Sequence, residues 1–304
     1  MRASSTLEAL RSAGLRARIV PVTRLPDIER DIVSLLENGS LDRSFFEAEL
    51  NGLRFSPPDP LPDARSIIVV AVPVPKFVLK FTWKGNIVPL VVPPTYTDAR
   101  KIMDMVKGTV SEATGNSTAK FERAVLPLKT LAARTGLVRY GRNNITYLEG
   151  SGSFHRLVAL YTDIDLETDD WQEREMLPAC KTCRMCLKAC PVSAIVEERF
   201  LIHADRCLTY FNEMPSDRAF PAAVKADSHN ALIGCMKCQD VCPYDRRARD
   251  WAEDGETFTE EETEFLLSGD LEGKRPDGMC EKLGRHGLDL TTFPRNLEVL
   301  LKGP

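Results

Sequence analysis

Apolar residues in the first half of the chain recur with two alternating periods. Ala3 to Ala13 and Asp27 to Glu37 carry them at helical spacing, the second stretch closed by Asn38-Gly39, and Arg16 to Val22 between them alternates as a short strand. After a Pro-rich loop at Ser56 to Pro62, the run from Ser66 to Val72 is β-branched and continuous, which predicts a strand buried on both faces at the centre of a sheet. Asp98 to Ala113 and Leu126 to Thr135 read as helices, the latter stopped by Gly136, and Phe154 to Thr162 reads as a strand. Residues 1–172 are therefore expected to form a mixed α/β domain. From 173 to 250 the periodicity fades into short loops, as in a module that wraps a cofactor. The tail, 251–304, returns apolar residues at Phe258, Phe265 to Leu267, Leu288, Leu290, Phe293, Leu297 and Leu300, which predict two or three short helices packed on the body. No internal repeat stands out beyond two cysteine motifs.

With 304 residues, 43% of them hydrophobic, the chain has material for about two cores at roughly 150 residues each. Its net charge is −4, and the imbalance is local: the tail holds 13 acidic and 6 basic residues, so the preceding 250 residues carry +3. No global basic field exists to gather nucleic acid. The longest apolar run, Ile67 to Val74, is far short of the ~20 residues of a membrane span, and the N-terminus lacks the apolar core of a signal peptide. A cytoplasmic location without a membrane partner is expected.

Eight of the nine cysteines fall between Cys180 and Cys242. In a reducing compartment such crowding points to metal chemistry rather than disulfides. Cys180-x2-Cys183-x2-Cys186-x3-Cys190-Pro191 is the complete bacterial ferredoxin run. Cys207, Cys235, Cys238 and Cys242-Pro243 repeat its spacing with one cysteine moved far upstream. Eight thiolates match two [4Fe-4S] clusters. In the ferredoxin run the cysteine before proline serves the neighbouring cluster, which assigns Cys180, Cys183, Cys186 and Cys242 to one and Cys190, Cys207, Cys235 and Cys238 to the other. Structural zinc closes with four ligands and has no use for this run. The histidines, His155, His203, His229 and His286, are scattered and read as packing or surface residues, and Cys280 as a bystander thiol.

Neither a G-x-G-x-x-G helix opening nor a P-loop is present. The order of the cysteine motifs, together with Cys207-Leu208-Thr209-Tyr210, Pro62 to Ile68, Ala133 to Leu137, Gly141-Arg142-Asn143, Gly152-Ser153-Phe154 and Thr162-Asp163, resembles epoxyqueuosine reductase over roughly residues 1–250. The cluster motifs are shared with corrinoid reductive dehalogenases. The resemblance implies an α+β protein in which a nitroreductase-like cobalamin and substrate domain (1–172) is followed by a ferredoxin-like module with two [4Fe-4S] clusters (173–250) and a short acidic helical tail (251–304). It implies an oxidoreductase whose clusters relay electrons from an external low-potential donor, a ferredoxin or flavodoxin, to the cobalt of cobalamin.

Counted back without gaps, the family's proton-donating aspartate falls on Glu122, which beside Arg123 also reads as a solvated surface pair. Arg139, Tyr140, Arg142 and Asn143, with Gly152, Ser153 and Phe154, fall where the family holds its cofactor. They equally read as a turn and a strand entry. Arg139 and Arg142 stand where the family commonly has Trp and Lys. The acidic tail occupies the place of the family's RNA-gripping helical repeats, so the expected substrate is a small molecule or a protein-bound corrinoid rather than tRNA, although a basic groove around Arg134, Arg139 and Arg142 leaves room for an anticodon loop. The alternative reading is an electron-transfer protein without cobalamin chemistry that donates to a partner such as a corrinoid protein.

Overall fold

The computed structural model describes residues 2–270, 276–284, 288 and 290–303. The chain divides into two compact units, 1–73 with 99–183 and 199–201, and 74–98 with 184–198 and 202–304.

The first unit is built on a four-stranded antiparallel sheet in the order β1 (Arg16–Pro21), β2 (Ser66–Pro73), β8 (His155–Thr162), β5 (Phe121–Arg123). Its helices are α1 (Arg2–Ser12), α2 (Leu25–Glu37), the single turn α3 (Arg43–Phe45), α4 (Ala99–Thr114) and α5 (Leu128–Arg134). Strand β2 is central, as its unbroken apolar run requires. Successive side chains point to opposite faces of a strand, so Ile67, Val69 and Ala71 join Leu25 and Ile28 of α2 and Leu131 of α5 in one core. Ile68 and Val70 join Leu10 of α1 and Ile102, Val106 and Val110 of α4 in the other. Helices on both faces explain why this antiparallel sheet has no polar side. A two-stranded ribbon, β6 (Arg139–Tyr140) and β7 (Thr146–Tyr147), follows α5.

The second unit contains a sheet whose strands the periodicity did not reveal, in the order β4 (Asn86–Val92), β3 (Lys76–Trp83), β9 (Ala252–Phe258). Lys84 and Gly85, both at positive φ (50° and 72°), close the β3–β4 hairpin, the backbone a tight hairpin turn demands. Strand β9 runs parallel to β3, so Phe258 stacks on Phe81 with ring centroids 4.7 Å apart. The tail supplies the three short helices anticipated, α9 (Glu260–Ser268), α10 (Met279–Gly284) and α11 (Phe293–Lys302). Leu266, Met279, Phe293 and Leu297 are core residues with Leu79 and Val92. The tail also contributes β9, so it is an integral part of this unit. Around the cysteines the chain is short-looped, with α6 (Met185–Ala189), α7 (Leu208–Asn212) and α8 (Lys237–Asp240) among single helical turns.

Candidate functional site

None of the eight clustered cysteines is in a disulfide. Cys190 and Cys242 each precede a proline and adopt extended backbone, with ψ of 112° and 125°, because a following proline disfavours the helical region. Each therefore ends a turn with its thiol set off from the chain direction. The amide of Ala194 donates to Cys190 Sγ at 3.3 Å. Cys207 stands at the start of α7, where the backbone of Thr209 and Tyr210 and the Thr209 hydroxyl donate to its sulfur. Burial raises the Cys207 thiol above its usual range, and the nearby Cys190 adds to the rise. Burial likewise pushes Cys235 up to about 12, with Cys207 and Cys190 contributing and the Lys237 backbone opposing. The sulfurs of Cys190, Cys207 and Cys235 lie close enough to act on one another's surroundings, and added positive charge there would favour the thiolates of Cys207 and Cys235. Iron supplies that charge, and amide donors to sulfur suit a thiolate cluster, so this donor set fits the group expected there. Cys238 follows Cys235 on α8.

In the first unit, the three arginines of the expected basic groove all have partners. Arg134 makes a bidentate pair with the buried Asp31 (2.7 and 2.6 Å) and reaches Glu173. Arg139, on the exposed edge of β6, pairs with Glu175 at 3.0 Å. Arg142 turns toward the ligand loop, donating from Nη2 to the Cys180 carbonyl at 2.5 Å and from Nε to the Cys183 carbonyl at 3.1 Å. Two of the three charges are paired with carboxylates, and the third is held by backbone carbonyls.

Tyr140 is buried, its hydroxyl 3.3 Å from Thr130 Oγ1 and its ring edge-on to Phe200, and burial holds its phenol at about 12. Asn143 closes the β6–β7 turn from within, donating to the Tyr147 hydroxyl at 3.0 Å and accepting from the Ile145 amide. Gly141 has room only for a hydrogen, since a Cβ there would lie 2.4 Å from the Tyr147 ring. Gly152, Ser153 and Phe154 are buried at the entry to β8, where Gly152 and Leu148 exchange backbone hydrogen bonds. Behind them His155 has its Nδ1 at 3.1 Å from the Gly152 carbonyl and its Nε2 at 3.0 Å from the Thr146 hydroxyl. A carbonyl only accepts, so Nδ1 carries the proton and Nε2 accepts from Thr146. Burial lowers this imidazole to about 4 and keeps it neutral. His155 is thus a packing residue, as expected. His286 and the side chain of Cys280 lie outside the described residues.

Glu122 sits half-buried on edge strand β5, in register with Tyr161 of β8. Paired residues share a face, which places the carboxylate on the side of the sheet lined by Tyr161, Ala159 and α5. Sequence reasoning missed Tyr161, because nothing in the alternation of β8 distinguishes it from a core residue. Its hydroxyl is buried with no hydrogen-bond partner among the described residues, as are Asn144 Nδ2 and Ser151 Oγ. Lys129, also missed, holds the turn by donating to the Asn144 carbonyl and side-chain oxygen.

The family model described as a 4Fe-4S double cluster binding domain matches residues 179–245, a span that contains all eight cysteines. An epoxyqueuosine reductase from Cyclobacterium marinum is 33% identical over 141 residues, covering 46% of this chain and 41% of that protein. The chain spans about two fifths to one half of the length of the first curated relatives it matches. The solved epoxyqueuosine reductase of Streptococcus thermophilus superposes with a TM-score of 0.66 at 17% identity, over 98% of this chain and 80% of that one. An epoxyqueuosine reductase crystallised with an epoxyqueuosine-modified tRNA-Tyr stem loop gives a TM-score of 0.65 at 18% identity and the same coverage. This chain thus resembles the epoxyqueuosine reductases in sequence over the matched residues, shares their α+β fold, and carries a 4Fe-4S double cluster binding domain.

Proposed function

We propose that this protein is an iron–sulfur reductase that removes the epoxide oxygen of epoxyqueuosine in tRNA. The reaction takes two electrons and two protons: both carbon–oxygen bonds of the epoxide break, a carbon–carbon double bond forms, and the oxygen leaves as water. The observation that carries the proposal is the double-cluster domain, with its eight cysteines outside any disulfide, in a chain whose curated relatives are epoxyqueuosine reductases. The eight cysteines would hold two clusters, shared as the spacing assigns, which would supply one-electron storage and relay. The first unit houses the substrate, and Glu122, on its edge strand, holds the proton delivered to the departing oxygen.

Cobalamin, when bound, supplies the low-potential metal centre at which such a substrate is reduced. The first unit suits it: Tyr161 Oη, Ser151 Oγ and Asn144 Nδ2 are buried without partners. Such groups cost about 1–3 kcal/mol each until something answers them, and the amide-fringed rim of a corrin offers both donors and acceptors. The segments from Pro127 to Asn143 and Gly150 to Phe154 are the proposed walls.

The expectation of a small-molecule or corrinoid-protein substrate gives way to tRNA, supported by the names of the relatives and by the tRNA-bound neighbour. The acidic tail is not a free field that would repel a phosphate backbone. In the structure Glu262 pairs with Lys282, Asp254 with Lys80 and Glu298 with Lys302, while Glu260 accepts from the Lys84 and Gly85 amides. Much of that charge is spent inside the second unit. The test is anaerobic reconstitution with iron, sulfide and cobalamin, reduction, and addition of an epoxyqueuosine-modified stem loop. Conversion to queuosine is expected. Clusters that reduce while the stem loop stays unchanged and added cobalamin gives no corrin bands would replace this reading with the electron carrier.

A further inference from the structure

Electrons must enter the second unit through its surface, and one stretch of that surface lies over two of the ligand segments. Helix α6 packs against α8 and carries Cys186; the chain leaves α8 through Cys242 into the turn Pro243–Asp245. On both ligand segments a large apolar side chain is exposed, Met185 directly before Cys186 at 46% and Tyr244 two residues after Cys242 at 43%. Asp245 and Ala248 are buried, and the amides of Ala248 and Arg249 bond back to the Asp245 carbonyl, so the residues between them, Arg246 and Arg247, project outward. Lys188, on the last turn of α6, is also exposed. Among the described residues Lys188, Arg246 and Arg247 have no ion pair, unlike Arg134, Arg139 and Arg184. The two ligand segments, brought together where α6 packs on α8, thus carry exposed apolar side chains and cations without ion pairs.

We propose that this face, centred on Met185 and Tyr244 and rimmed by Lys188, Arg246 and Arg247, docks a small acidic electron-carrier protein. The proposal rests on the cluster ligation assigned above to Cys186 and Cys242. Each docking event moves one electron from the reduced carrier into the cluster; no bond forms or breaks, and two events supply one turnover. The chemistry favours a carrier over RNA because Met185 and Tyr244 sit on the two segments that bear Cys186 and Cys242, so a carrier docked on them stands close along the chain to two ligands. An RNA substrate needs instead to reach the groups of the first unit. Cationic rims around a small apolar centre give fast, weak, salt-sensitive association, which a recycling carrier requires.

The test uses the reconstituted full chain and a reduced acidic flavodoxin as the probe. Cluster reduction is followed by bleaching in stopped flow, for wild type and the triple variant Lys188→Glu, Arg246→Glu, Arg247→Glu. The expected results are a wild-type rate that falls steeply with salt and a variant at least about tenfold slower at low salt. Reduced methyl viologen, a small cation, should reduce the variant no more slowly than wild type, at equal iron content. Equal flavodoxin rates for the two proteins would overturn the proposal. So would unchanged flavodoxin rates with loss of stem-loop binding, which would assign the face to RNA. A protein that takes up no iron and does not bleach with methyl viologen would refute the cluster reading itself, an outcome separate from either.

Discussion

Replacing Arg142 by Ala should loosen the loop that presents the first two cysteines. The guanidinium donates to the carbonyls of both Cys180 and Cys183, at 2.5 and 3.1 Å. Hydrogen bonds from a charged donor contribute about 1.5–3 kcal/mol each. Two such bonds at the low end would give about 3 kcal/mol, and because Arg142 is only partly buried and water competes for the freed carbonyls, about 2 kcal/mol in total is expected for local closure of the loop. Since 1.4 kcal/mol is a factor of ten, the loop should open roughly thirtyfold more often. The readout is the rate at which a ferrous chelator strips iron from the anaerobic protein, with far-ultraviolet circular dichroism as the control for folding. Arg142→Ala should lose iron roughly thirtyfold faster. Arg142→Lys, which keeps the charge but offers a single point donor in place of the fork, should fall between. Release from the Ala variant within about twofold of wild type would refute the reasoning and leave Arg142 a surface residue that happens to point inward.

Fully reconstituted wild type should hold about eight irons per chain; Cys183→Ala should lose one cluster's worth or more, and iron analysis of Cys280→Ala should match wild type. His155, at about 4 when folded against 6.5 as a free side chain, stays neutral in the folded chain while the unfolded chain takes up a proton. Its contribution is therefore intact above pH 6.5 and lost as the pH falls toward 4, a total of about 3 kcal/mol. Urea titrations should show a shallower acid dependence for His155→Gln than for wild type, and parallel curves would remove the assignment. Gly234 sits at φ +67° with its α-carbon facing Tyr96, and a Cβ there would lie 2.7 Å from the Tyr96 hydroxyl. Gly234→Ala, next to Cys235, should cost roughly 1–3 kcal/mol and lower iron occupancy; a variant as stable and as iron-rich as wild type would contradict that packing.

How much of this was legible in the sequence depended on where each element found its partners. Strands β2 and β8 and helices α1, α2 and α4 write their burial into their own periodicity, because each has an apolar face set by local geometry. The ferredoxin run is legible for a stronger reason: ligand spacing is itself the chemistry. Strand β9 is the opposite case. Its sequence, Ala-Glu-Asp-Gly-Glu-Thr-Phe, is polar up to Phe258, and it is a strand only because β3 offers it a backbone edge and Phe81 a ring to stack on. Arg142 was singled out as a residue facing the cofactor, yet its partners are carbonyls 38 and 41 positions away. No pattern in side chains reveals where backbone oxygens will converge. Tyr161 was hidden for a related reason, since an orphaned hydroxyl is invisible until its neighbours are known.

The parallel pairing of β3 with β9 also sets a timetable for synthesis. Phe81 emerges from the ribosome long before Phe258, its partner in register. At about 5–20 residues per second, that gap of roughly 175 residues lasts on the order of 10–35 seconds. Throughout it the β3–β4 hairpin exists with one edge unpaired and Leu79, Phe81 and Val92 still lacking the helices α9 and α11 that will bury them. An exposed apolar edge held open that long invites pairing with another nascent chain. The hairpin's exposed polar residues, Lys84 at its turn and Asn86 beside it, place charge and a polar amide at the tip during the wait. Overexpression should therefore lose this protein to inclusion bodies when translation outruns chaperone supply, and slower translation at low temperature should recover it.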